Sequence, residues 1–240
     1  MNRPSLEAQR EFYDEFFSTR PSTINQHATH RLAKILSAMV QVVEAKDISS
    51  RRICDLGCGV GWLANVLRSF GEVTGVDMSP KGIAEAKRRW PGVTFEAANI
   101  LDYVPREPFD LVVSSEVIEH IEDQEAFIEK VSSLLVDQGF FIVTCPNGLA
   151  QRYFKDELPS NQPLEVWPTP RGLRALVSPK FRILRHETFF FSYSNRGLLR
   201  AVNSYKLGVV LKGLGVQRAL QSISGDLNLG LYQILLARKL

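Results

Sequence analysis

From Arg51 onward, short runs of aliphatic and β-branched residues alternate with stretches whose apolar positions recur every three or four residues. RRICDL (51–56) reads as a buried strand, and Leu63, Val66, Leu67 and Phe70 follow at helical spacing. EVTGVD (72–77) is a second strand. Ser79 and Pro80 then supply an N-cap and a first-turn proline for a helix through Trp90. VTFEAAN (93–99) and DLVVSSE (110–116) are the third and fourth strands. Phe127, Val131, Leu134 and Leu135 make the stripe of a helix that Gly139 ends, and FFIVTC (140–145) is a fifth strand. This alternation predicts an α/β fold, a parallel sheet with helices on both faces. Ligands of such sheets bind beyond the carboxyl ends of the strands, where the strand order reverses.

The flanks complete a single domain over residues 1–240. Residues 5–46 read as helical, with Leu32, Ile35, Leu36 and Met39 on one face, so that 1–46 form a helical cap on a core at 47–145. In 146–240, a Pro- and Asn-rich loop (146–167) precedes a short helix (169–177) and two final strands (181–191 and 231–239). Residues 192–228 show no readable period. Within them YKLGVVLKGLGVQRAL (205–220) is apolar with Lys206, Lys212 and Arg218, which suggests a mobile lid or a peripheral membrane contact.

Composition narrows the class. With 240 residues, 45% apolar and 23% charged, the chain can bury a sizeable core and does not read as disordered, collagenous or coiled-coil. No apolar run approaches the length of a spanning helix, and acids stand where a signal peptide needs its apolar stretch. Three cysteines make no disulfide framework, so the expected setting is the reducing cytoplasm. Charge is uneven: residues 1–145 carry 15 Lys/Arg against 21 Asp/Glu, and residues 146–240 carry 14 against 5. A solvated basic surface explains this as well as an acidic partner does.

The chemistry gathers at the strand ends. DLGCGVGW places Asp55, Gly57, Gly59 and Gly61 between a strand and a helix, where glycines allow a tight turn and close approach of a ligand to the backbone. A dinucleotide loop is related, but Asp55 would repel a pyrophosphate and suits an ammonium group instead. Asp77 ends the next strand and can accept both hydroxyls of a ribose. Asn99 can serve an adenine edge or simply form a turn. Glu116, Glu119 and His120, in EVIEH, fall on one side if the segment is helical from Val117.

These residues, over about 45–145, resemble the class I S-adenosylmethionine-dependent methyltransferases, nearest the ubiquinone-pathway O-methyltransferases. The resemblance implies a Rossmann-like sheet of seven mostly parallel strands with the last antiparallel. It assigns S-adenosyl-L-methionine as cofactor. Asp55, Gly57, Gly59 and Gly61 would cradle its methionine moiety, Asp77 its ribose, and Asn99 with Ile100 its adenine, although Asp is usual where Asn99 stands. Cys58, Met78 and Glu116 adjoin these positions and belong to the same set. The ExxH spacing is similar to a pattern that holds a metal, which implies a divalent cation such as Mg²⁺ on Glu116, Glu119 and His120. The alternatives are that His120, with Glu119, works as a metal-free catalytic pair, or that both residues only shape the loop. Small-RNA 2′-O-methyltransferases share the pattern, but they add a histidine that CPNGLAQRYFKDELPSNQPLEVW lacks, so nucleic acid is not expected. Arg31 lies where ubiquinone-pathway enzymes contact the cofactor carboxylate, against the simpler reading of a solvated helix residue. The other histidines, His27, His30 and His186, read as surface or packing residues.

The expected activity is O-methylation of a small molecule or glycan. N-methylation of an amine, or a cofactor-binding module without catalysis, are the alternatives. Aromatics that can line the acceptor pocket are Tyr13, Phe16, Phe17, Tyr153, Phe154, Trp167, Phe190, Phe191, Tyr193 and Tyr205.

Overall fold

The structure is a computed structural model that describes residues 4–19, 25–45, 51–154, 162–190, 228 and 230–240. The segment 192–228, with the lid or membrane contact expected at 205–220, lies outside the described residues save Asn228. So do Phe191, Tyr193 and Tyr205.

Among the described residues, α1 (Leu6–Thr19) and α2 (Gln26–Ala45) precede β1 (Arg52–Leu56), α3 (Trp62–Leu67), β2 (Glu72–Asp77), α4 (Pro80–Arg89) and β3 (Thr94–Ala97). Then come β4 (Phe109–Ser115), a 3₁₀ turn (Ile118–His120), α5 (Gln124–Leu134) and β5 (Leu135–Pro146). The chain closes with α6 (Gly148–Phe154), α7 (Pro170–Val177), β6 (Phe181–Phe189) and β7 (Tyr232–Lys239). The strands form one sheet in the order β3-β2-β1-β4-β5-β7-β6. The first five are parallel, and β7 runs antiparallel between β5 and β6. This is the expected seven-stranded Rossmann-like arrangement with an antiparallel last strand.

Period-two alternation builds two cores. Ile53, Leu111, Phe140 and Ile142 face α2, α3 and α4, while Cys54, Val112, Phe141 and Val143 face α5 and α7. A fully buried Leu, Ile or Phe side chain contributes about 1.5–3 kcal/mol, so these two layers hold the strand ends in place. Ser79 caps α4 by accepting from the Gly82 amide at 3.0 Å, and Pro80 occupies its first turn, as the sequence predicts.

Two expectations are corrected. Gly139 does not end the fourth-strand helix. α5 stops at Leu134, and Leu135–Pro146 is one long strand in which Gln138 takes a positive φ of 61°. Leu135 pairs with Phe109 before the register shifts, so the sheet captures residues whose local pattern reads as helix. The segment after Glu116 is a 3₁₀ turn rather than an α-helix, and Glu116 itself has φ 61°.

Candidate functional site

The strand order reverses between β1 and β4, and a cavity of about 890 Å³ opens above their carboxyl ends. The β1–α3 loop forms its floor. Gly57, Gly59 and Gly61 have φ of 86°, 51° and 77°. The amides of Gly57 and Cys58 both donate to the Val76 carbonyl, at 2.7 and 3.0 Å, which ties the loop to the end of β2. Asp77 fixes it from the same side: Oδ2 accepts from the Gly59 amide at 2.8 Å and Oδ1 from the Ser79 amide at 2.9 Å. Two backbone donors leave lone pairs on this carboxylate, and it still lines the cavity. Burial pushes its pKa up, against those two amide bonds.

Asp55 is 1% exposed, and its buried Oδ2 has no hydrogen-bond partner among the described residues. Burial raises its pKa to about 7. An unpartnered buried carboxyl oxygen beside a left-handed glycine loop is the position a cationic ligand group would fill.

The opposite wall comes from the end of β4. The Glu116 amide donates to the Thr144 carbonyl at 2.9 Å, and its carboxylate accepts from Thr144 Oγ1 at 3.2 Å and faces Arg31 Nη1 at 3.7 Å. Glu119 is 1% exposed and its Oε2 has no partner. Burial, then the charge of Glu116, drives the Glu119 pKa well up, while the Arg31 guanidinium opposes the rise caused by burial at Glu116. His120 Nε2 lies 3.7 Å from Glu119 Oε1, and Nδ1 is 2.8 Å from the Leu164 carbonyl. A carbonyl oxygen can only accept, so Nδ1 carries the hydrogen and Nε2 keeps its lone pair. Burial lowers the His120 pKa, which holds the ring neutral near pH 7.

A strap over residues 162–168 closes this side. The Val166 amide donates to the Glu119 carbonyl at 2.8 Å, and Gln124 Nε2 donates to the carbonyls of Ile118 and Val166. Trp167 Nε1 is a buried donor without a partner. Overhead, α1 lays Gln9, Phe12, Tyr13, Phe16 and Phe17 along the cavity. Tyr13 donates to Gln162 Oε1 at 2.8 Å, and its ring meets His120 edge-on at 6.1 Å.

Of the predicted residues, Asp55, Gly57, Cys58, Gly59, Asp77, Met78, Ile100, Glu116, Glu119 and His120 all line this cavity. Gly61 and Asn99 are not among its lining residues. Gly61 opens α3, where a Cβ would meet the Phe95 ring at 2.5 Å. Asn99 donates to Asp102 Oδ2 at 2.8 Å and accepts from the Leu101 amide at 3.3 Å, which is the turn-forming arrangement. Glu116, Glu119 and His120 share a wall without forming a metal site. Among the described residues, no three His, Cys, Asp or Glu side chains are grouped to hold an ion. The Glu116 carboxylate is taken up by Thr144 and faces Arg31, and the expectation of a divalent cation is not retained.

Arg31 and His27 are partly buried, each against Tyr232. Arg31 lies over the Tyr232 ring at 5.1 Å, and His27 Nδ1 is 3.1 Å from the Tyr232 hydroxyl. Tyr232, whose pKa burial and Glu116 push up to about 12, and Asp14 at the α4 N-terminus are among the residues that sequence reasoning missed. Neither carries a local signal. His30 packs on Phe190, and His186 pairs with Gln233 at 3.1 Å.

The family model described as a methyltransferase domain matches residues 48–172, more than half the chain. The chain belongs to that methyltransferase family. A ubiquinone biosynthesis O-methyltransferase of Bradyrhizobium diazoefficiens is 34% identical over 101 residues, 40% of each chain. A trans-aconitate 2-methyltransferase of Methylobacterium nodulans is 32% identical over 103 residues, covering 42% of this chain and 40% of its own. The methyltransferase thus matches about two fifths of the length of these curated relatives. Its fold is shared with the N-methyltransferase NodS of Bradyrhizobium japonicum in complex with S-adenosylhomocysteine (TM-score 0.63, 15% identity, 96% of this chain and 97% of that one). Magnesium protoporphyrin IX methyltransferase of Synechocystis, with S-adenosylhomocysteine bound, is similar at TM-score 0.62 and 16% identity, covering 96% and 94%. No described helix of the methyltransferase is long and apolar enough to cross a membrane.

Proposed function

We propose that this methyltransferase transfers a methyl group from S-adenosyl-L-methionine to a hydroxyl oxygen of a small molecule or glycan. The observation that carries the reading is the placement of His120 in the cavity wall with Nδ1 2.8 Å from the Leu164 carbonyl, which leaves Nε2 to accept a proton. A hydroxyl must lose its proton as it attacks, whereas an amine can be methylated without a base. Bound in the pocket, the cofactor supplies an electrophilic methyl on a positively charged sulfur.

The residues fit that cofactor. The unpartnered Asp55 oxygen suits its ammonium, Asp77 its ribose hydroxyls, and the half-buried Arg31 its carboxylate. His120 Nε2 takes the proton of the acceptor. The charge of Glu165, which works against burial to raise the His120 pKa, offsets the imidazolium that forms. Aromatic rings of α1 and Trp167 keep water from the reacting atoms, and alignment of the reactants supplies the larger part of the acceleration. The ubiquinone-pathway relative, named an O-methyltransferase, is consistent with this reading.

The test is transfer of labelled methyl from the cofactor to fractionated metabolites and glycans. Label is expected in a methyl ether that survives alkali. Label in an alkali-labile methyl ester would overturn the hydroxyl assignment, and label in an amine would overturn oxygen as the acceptor atom.

A pH dependence follows from Asp55. Its pKa in the free protein, about 7, lies above the 3.8 of an unfolded aspartate. The folded state therefore binds the proton more tightly, and this residue's contribution to stability falls as pH rises from about 4 to 7, by roughly 4 kcal/mol at most. An ammonium reverses the preference, so S-adenosylhomocysteine binding should expel a proton below pH 7. Affinity should climb up to tenfold per pH unit between 6 and 7 and level off above. Calorimetry in buffers of different ionisation enthalpy reads the proton directly, and Asp55→Asn should abolish the slope.

A further inference from the structure

The half-buried residues of α1 that line the cavity, Gln9, Phe12, Tyr13, Phe16 and Phe17, fall at i, i+3, i+4, i+7 and i+8, a single helical face, and Asp14 is half-buried beside it. That face covers the cavity rather than the core, and no residue of α1 is fully buried. Phe17 lies directly over the glycine loop: a Cβ on Gly59 would be 2.8 Å from its ring, and one on Gly82 would be 2.9 Å away. A 14-residue helix is marginal by itself in water, so α1 keeps its place through its contacts. The polar ones are specific. Asp14 Oδ1 accepts from Ser79 Oγ and from the Lys81 amide, the latter at 3.2 Å, at the N-terminus of α4. Ser79 is 0% exposed and spends its acceptor capacity on the Gly82 amide, so its hydroxyl proton depends on Asp14. Tyr13 reaches Gln162 on the far side of the cavity. α1 thus lies across the pocket mouth, held on two sides from its middle turn by Tyr13 and Asp14 beneath an aromatic roof.

We propose that α1 is the closing element of the cofactor pocket and that Asp14, through Ser79 and the Lys81 amide, sets how fast the cofactor enters and leaves. The inference rests on the reading of this pocket as the S-adenosylmethionine site. With Asp14 latched, Phe17 covers the glycine loop and exchange is blocked. When the latch opens, water satisfies Ser79 and α1 lifts.

Stopped-flow binding of S-adenosylhomocysteine to the full chain separates the possibilities. Loss of a gate raises the association and dissociation rates together, loss of a ligand contact raises dissociation alone, and loss of a helix cap changes neither. For Asp14→Ala, both rates are expected to rise about tenfold with Kd changed less than threefold. Asp14→Asn, which retains an acceptor oxygen, should fall between this variant and the unaltered protein. Thermal melting confirms that both variants are folded. An unchanged association rate in Asp14→Ala overturns the proposal. Failure of the unaltered protein to bind S-adenosylhomocysteine overturns the cofactor reading beneath it.

Discussion

His120→Ala is expected to lower kcat on the true acceptor by about 10²–10⁴, the usual contribution of a positioned general base. S-adenosylhomocysteine affinity should change less than twofold, because the role proposed for His120 is toward the acceptor and not the cofactor. The variant should fold: the strap that His120 holds through Leu164 is also fastened by the Val166 amide on Glu119 and by Gln124 on Val166. The pH profile distinguishes base from prop. A base must be neutral to act, and burial lowers the His120 pKa below its ordinary 6.5. Activity should therefore rise with pH through a limb below 6.5 and then hold. That limb should vanish in His120→Ala, whereas a merely structural role would reduce the rate uniformly at every pH. A loss of less than tenfold in kcat would remove His120 as base and favour an amine acceptor.

The sheet and most of the cofactor wall are legible from local pattern because their determinants are local. Strand alternation fixes which residues face each helical layer, and the DLGCGVG loop places its own glycines. What the pattern misses depends on partners distant in sequence. Leu135–Gly139 reads as the end of a helix, yet pairing with β4 makes it strand. Arg31 reads as a solvated helix residue until Glu116 and Tyr232 meet it across the fold. The supposed helical face of Glu116, Glu119 and His120 fails because Glu116 is left-handed, a backbone choice without a glycine to announce it. The three side chains still reach one cavity, since a 3₁₀ turn also brings its neighbours to one end of the strand. Asp14 is the clearest case. Nothing in REFYDEFF distinguishes it from the acids beside it, and only the docking of α1 on α4 selects it.

Gly57→Ala should abolish measurable cofactor binding while leaving the sheet folded. At φ 86° an alanine is strained by roughly 1–2 kcal/mol. The larger obstacle is steric, since its Cβ would stand 2.2 Å from Val117 Cγ2 and 3.2 Å from Cγ1. Val117 is 8% exposed and packed in the core with Ile118 and Phe127, so it cannot swing aside. Either the glycine loop withdraws from the cavity or Val117 pushes the turn that carries Glu119 and His120. Both movements disturb the site, and a rise of at least a hundredfold in the S-adenosylhomocysteine Kd is expected by calorimetry. Gly57→Ala combined with Val117→Ala should regain part of the affinity, because it removes the clash but not the strained φ. Gly59→Ala is the instructive contrast. Its φ of 51° is one that alanine tolerates better, and its obstacle is the Phe17 ring on a helix without buried residues. There the roof can yield where the Val117 wall cannot, so the affinity loss should stay well below that of Gly57→Ala. Equal losses at the two glycines would mean that α1 is as rigid as the core beneath it.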